Sequence, residues 1–253
     1  MQITESIVDD IITLANDASA LLHNYFSAAL TVSFKEDKSP VTKADTDANQ
    51  LIVERLFRIT PTIPIIAEES CNSAEIPPRF WLVDPLDGTR AFVKGVPEFS
   101  VNIGLIENNA PMFGVLAIPM RNEIYVGGTT ITAQKISADG ARKKIHTRTP
   151  SIDGLHVVKS ASHPSQKMQA YLDTLNISKV EGLSSALKFA LLAEGSADIY
   201  PRFGRTMEWD TAAGQAILEA AGGSICTADG NPFLYGKPNY ENEGFIARGW
   251  KGC

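Results

Sequence analysis

Long apolar runs, a basic surplus and closely spaced cysteines are all missing from this chain, and each absence removes a class of function. No hydrophobic stretch approaches the roughly eighteen residues that cross a bilayer, and the N-terminus has neither the basic flank nor the apolar core of a secretory leader. The expectation is a cytoplasmic protein without a transmembrane segment. Lys and Arg number 23 against 29 Asp and Glu, a formal net charge of -6, which argues against binding a nucleic acid polymer. Cys71, Cys226 and Cys253 are odd in number and far apart, so they suggest neither a disulfide framework nor a zinc site. Repeats and low-complexity tracts are absent too.

What remains is an ordinary globular composition, 44% hydrophobic and 21% charged over 253 residues, enough to bury a sizeable core. Ile3, Ile7, Ile11, Leu14, Ala18, Leu21, Leu22 and Tyr25 recur at helical spacing, and a second helix is expected over Thr46–Arg58. Strand signals dominate from Ile63 to Gly127, with Glu107-Asn108-Asn109-Ala110 as a hairpin turn. The polar Thr129–Ser151 stretch reads as a connector. Beyond it come a strand over Leu155–Lys159 and helices near Ser165–Leu175, Ala186–Glu194 and Thr211–Ala221. The pattern divides the chain into an α+β half over residues 1–150 and an α/β half over 151–253, closely packed as one unit.

Asp84-Pro85-Leu86-Asp87-Gly88-Thr89 is the most informative stretch. Two carboxylates, a backbone carbonyl, a glycine and a hydroxyl in that order suit a hard divalent cation beside a phosphate, since Mg²⁺ takes oxygen ligands and shares its shell with substrate. The apolar Arg79–Val83 run should deliver Asp84 from the end of a strand that Pro85 stops. Gly88 lets the backbone approach a ligand, and the N–H groups of Gly88 and Thr89 can meet an anion. Taken singly, these residues form an Asp/Gly turn, Asp210 an N-cap and Glu68-Glu69 a solvated loop. Together they place carboxylates at three strand or helix ends.

Ala67-Glu68-Glu69-Ser70, Trp81–Thr89, Trp209–Gly214 and Val41-Thr42-Lys43-Ala44-Asp45 resemble, in order and spacing, the motifs of the inositol monophosphatase superfamily of metal-dependent phosphatases. Ser39–Asp45 and the run from Ser184 through Lys188 and Arg202 to Asp210 resemble more narrowly its bacterial 3′(2′),5′-bisphosphate nucleotidases. The resemblance implies a layered α-β-α-β-α sandwich with the site between the halves. It implies Mg²⁺ held by Glu68, Asp84, the Leu86 carbonyl, Asp87 and Asp210, two ions with room for a weaker third. Thr89, paired with Asp45, would orient the attacking water, and Gly88 and Thr89 would bind phosphate.

Substrate choice falls to the second half: Ser185, Lys188 and Arg202 for a phosphate that is bound but not cleaved, and His163 for an adenine ring. The implied reaction removes the 3′-phosphate of adenosine 3′,5′-bisphosphate, giving AMP in the recycling of a sulfate-assimilation by-product. Hydrolysis of inositol or histidinol phosphate on the same core is the rival, and a non-catalytic metal- or nucleotide-binding regulator a second. Monomer and homodimer both remain open.

Overall fold

Apolar side chains recurring every three or four residues wind Glu5–Phe26 into α1 and Lys43–Ile59 into α2. Between them β1 (Val32–Phe34) pairs antiparallel with β2 (Pro40–Thr42). The computed structural model describes residues 3–27, 32–34, 40–71, 76–161 and 165–252. α2 begins ahead of the expected Thr46 because Thr42 and Asp45 form a capping box. Thr42 Oγ1 accepts from Ala44 N–H at 3.2 Å, and Asp45 Oδ2 accepts from Thr42 N–H at 2.7 Å.

A seven-stranded sheet follows in the order β3 (Ile65–Ala67), β4 (Arg79–Asp87), β5 (Ser100–Glu107), β6 (Ala110–Ile118), β7 (Glu123–Gly128), β8 (Gln134–Ile136) and β9 (Arg142–Lys144). Asn108 and Asn109, at φ 51° and 65°, close the expected two-residue hairpin between β5 and β6. The polar stretch after Thr129 is more than a connector, since it adds β8 and β9 to the sheet edge.

The second sheet runs β11 (Ile177–Leu183), β10 (Leu155–Ser160), β12 (Ile199–Arg202), β16 (Phe245–Arg248), β14 (Ser224–Thr227), and β13 (Thr206–Met207) pairs separately with β15 (Glu241–Asn242). The remaining helices are α3 (Thr89–Val93), α4 (Gln166–Leu172), α5 (Leu187–Ala193) and α6 (Ala212–Ala220).

Alternation along the strands assigns the layers. Trp81, Val83, Val101, Ile103 and Leu105 pack with α1 and α2, while Phe80, Leu82, Ile106 and Leu116 pack with α5 and α6. Val158, Tyr200, Ile225 and Phe245 of the second sheet cover α5 and α6 from the other side. Met168 and Leu172 of α4 then close its far face against Val157, Ile199 and Ile246. The result is the expected α-β-α-β-α sandwich.

Gly104 and Gly114 let α6 lie directly on the first sheet. A Cβ on Gly114 would stand 2.5 Å from Ala213 O, and one on Gly104 2.7 Å from Ala212 Cβ. This seating brings the turn at the head of α6 against β4. Cys226 is disulfide-bonded, against the expectation drawn from cysteine spacing, while Cys71 is a free thiol. Among the described residues no helix is long and apolar enough to cross a membrane.

Candidate active site

β4 does not stop at Pro85. Its ladder to β5 pairs Asp84 with Asn102, shifts register, and resumes with Asp87 opposite Ser100. Residues three apart on a regular strand point to opposite faces, but Pro85 and Leu86 on β4 oppose Val101 alone on β5, and this extra residue returns Asp87 to the face of Asp84. Proline costs nothing in such a bulge, since it has no N–H to pair. Asp84 Oδ1 accepts from Leu86 N–H at 3.0 Å, which holds the bend.

A third carboxylate arrives from a 3₁₀ turn, Glu208–Asp210, where Asp210 Oδ2 accepts from Met207 N–H at 2.8 Å. Asp210 therefore caps this turn, whereas Thr211 is the N-cap residue of α6. Asp84, Asp87 and Asp210 each place an oxygen within 4.8 Å of the others. Glu68, at the start of the 3₁₀ turn after β3, lines the same cleft of about 430 Å³.

Burial first, and then the charges of Glu68, Asp87 and Asp210, push Asp84 well above the usual carboxylate range. Burial and Asp87 do the same to Asp210, and burial raises Asp87 against the opposing pull of Lys188. None of the three forms an ion pair among the described residues. Converging carboxylates that offer all-oxygen donors, with Asp84 buried and Asp87 and Asp210 half-buried, fit a hard divalent cation.

Beside the cluster, Gly88 caps α3 at φ 96°, where a Cβ would meet Glu98 O at 2.9 Å and Ser185 Cβ at 3.4 Å. Thr89 Oγ1 can donate to Asp45 Oδ1 at 3.0 Å or to Leu86 O at 3.1 Å. Asp45 is buried behind it, its other oxygen fixed by Thr42 N–H at 2.7 Å and Thr42 Oγ1–H at 2.6 Å.

Across the cleft Ser185 sits at φ 54°, and Ser184 N–H donates to Glu98 Oε2 at 2.8 Å. Lys188 is buried over the Tyr200 ring, and its ammonium donates to Leu183 O at 3.1 Å and to Ser185 O. Burial lowers its pKa to about 8, opposed by Asp87. Arg202 also lines the cleft, donating to Gly204 O at 3.4 Å and Arg205 O at 3.1 Å.

The chain from residue 4 to residue 250 matches the model of the inositol monophosphatase family. The chain belongs to the inositol monophosphatase family. It is 40% identical to a 3′(2′),5′-bisphosphate nucleotidase CysQ of Buchnera aphidicola, over 97% of this chain and 94% of that one. A protein of the same name from Escherichia coli O157:H7 is 39% identical over 94% and 98%. Among solved structures, CysQ from Bacteroides thetaiotaomicron superposes with a TM-score of 0.84 at 31% identity, covering 96% of this chain and 97% of that one.

Glu68, Asp84, Leu86, Asp87, Gly88, Thr89, Ser185, Lys188, Arg202 and Asp210 all line this one cleft, with Asp45 one hydrogen bond behind it. His163 lies outside the described residues. Arg90, Ser160, Tyr200 and Arg205 also line the cleft and were not singled out from the sequence. Arg90 was the findable one, as a cation directly after the Gly88-Thr89 pair.

Proposed function

We propose that this protein is a Mg²⁺-dependent phosphatase that hydrolyses the 3′-phosphate of adenosine 3′,5′-bisphosphate to AMP and inorganic phosphate. The observation that carries it is the convergence of Asp84, Asp87 and Asp210 beside the Thr89–Asp45 hydrogen bond, in a chain whose relatives are named bisphosphate nucleotidases. Glu68, Asp84, the Leu86 carbonyl, Asp87 and Asp210 would hold two Mg²⁺, with a third near Glu68. Bound divalent cations supply positive charge to the phosphoryl oxygens and acidify water.

The protein's own part is orientation. Asp45 cannot swing, because Thr42 holds one oxygen and burial surrounds the rest. With its proton given to Asp45, Thr89 Oγ1 turns a lone pair to the cleft and accepts from a water there, fixing the attacking lone pair toward phosphorus. Gly88 admits the phosphate because no side chain fits at its position. Lys188, Ser185 and Arg202 face the remainder of the substrate. Lys188 keeps one of its three N–H donors beyond the two carbonyls it meets.

Phosphate release from adenosine 3′,5′-bisphosphate, inositol monophosphate and histidinol phosphate, measured side by side with Mg²⁺, tests the assignment. The bisphosphate should give the highest kcat/KM by about tenfold or more, the effect of one charge-assisted contact. Faster turnover of either monophosphate would overturn the substrate assignment.

A further inference from the structure

Four cations line the cleft: Arg90, Lys188, Arg202 and Arg205. Three of them are engaged. Lys188 donates to the Leu183 and Ser185 carbonyls, Arg202 to Gly204 O and Arg205 O, and Arg205 pairs with Glu241 at 2.7 Å. Arg90 is exposed and makes no ion pair or side-chain hydrogen bond among the described residues.

No side chain within α3 pairs with Arg90, which lies in the last turn of this five-residue helix. The first turn of this helix carries no acidic residue, and Lys94, four residues on, is a second exposed cation without an ion pair among the described residues. Like charges at that spacing repel slightly, so the pair does not stabilise the helix. On the rim of a cleft whose other three cations are already engaged, this guanidinium is left free to meet an anion from outside.

From this we infer that Arg90 is a specificity-determining residue that engages the phosphate retained on the substrate, a contact not foreseen in the Ser185, Lys188 and Arg202 set. The inference rests on the nucleotidase assignment above. Each phosphate monoester carries about 1.5 to 2 negative charges near neutral pH. A substrate with two such groups presents one to the carboxylate-held cations and leaves the other needing a donor. The planar fork of an arginine with no competing partner matches a phosphate in charge and geometry.

The test compares Arg90→Gln with wild type on adenosine 3′,5′-bisphosphate and on adenosine 3′-monophosphate, which has the same scissile bond and lacks the second phosphate. The variant should lose about ten- to a hundredfold in kcat/KM on the bisphosphate, mostly through KM, and change little on the monophosphate. Equal losses on both substrates place Arg90 on the transferring phosphate, and no loss on either leaves it a surface residue. Both results overturn the inference while wild-type turnover of the bisphosphate leaves the nucleotidase assignment standing. Wild-type enzyme that hydrolyses neither nucleotide removes both.

Discussion

Thr89 shows how much one hydroxyl depends on residues that never reach the cleft. Its direction is set by Asp45, which in turn is set by the Thr42 backbone and hydroxyl at the start of α2. If Thr89 orients water, Thr89→Ala should lower kcat by about a hundredfold, in the range that positioning contributes, while Mg²⁺ affinity moves far less. Steady-state kinetics with Mg²⁺ titration separates the two. A variant that loses metal affinity and keeps kcat at saturating Mg²⁺ would make Thr89 a structural cap.

At the scale of elements, the site depends on how closely α6 can lie on the first sheet. Gly114→Ala puts a methyl 2.5 Å from Ala213 O, an overpacking that costs about 1–3 kcal/mol. Because Asp210 sits at the head of α6, the same variant should bind Mg²⁺ more weakly although Gly114 is not in the cleft. Thermal melting with and without Mg²⁺ checks both halves. Unchanged metal affinity in a destabilised variant would mean that the Asp210 turn is held by its own contacts, independently of α6.

The elements also show what a sequence reveals. α1 and α2 were legible because one face is apolar at helical period, and the β5–β6 turn because two adjacent asparagines accept positive φ. β9 was not, since Arg142, Lys143 and Lys144 are all exposed and an edge strand with no buried face carries no alternation. The bulge in β4 was hidden for a different reason: Pro85 correctly signals a broken ladder, but nothing local says that pairing resumes at Asp87. The carboxylates themselves were found by their motifs. Their convergence depends on long-range seating by Gly104, Gly114 and the second sheet, which no local pattern encodes.

Over the whole molecule, a chain of net charge -6 crowds carboxylates into one cleft, where burial and mutual repulsion raise Asp84 and Asp210 although Arg202 opposes the shift of Asp210. A carboxylate whose folded-state pKa is raised binds protons more tightly folded than unfolded. It therefore costs stability at neutral pH, and the cost is relieved as pH falls through the raised pKa toward the unfolded value. Bound cations should remove the same cost at neutral pH by binding the folded state alone.

Asp84→Asn tests this most directly, because it keeps the shape and the Leu86 N–H hydrogen bond while removing the central charge. Without metal near pH 7.5 the variant should melt above wild type, by about 2–4 °C for each kcal/mol of relieved repulsion, and the gain should shrink toward pH 5. With millimolar Mg²⁺ the order should invert: wild type gains melting temperature and releases phosphate from adenosine 3′,5′-bisphosphate, whereas the variant does neither. Near-normal phosphate release by Asp84→Asn at millimolar Mg²⁺ would contradict the account.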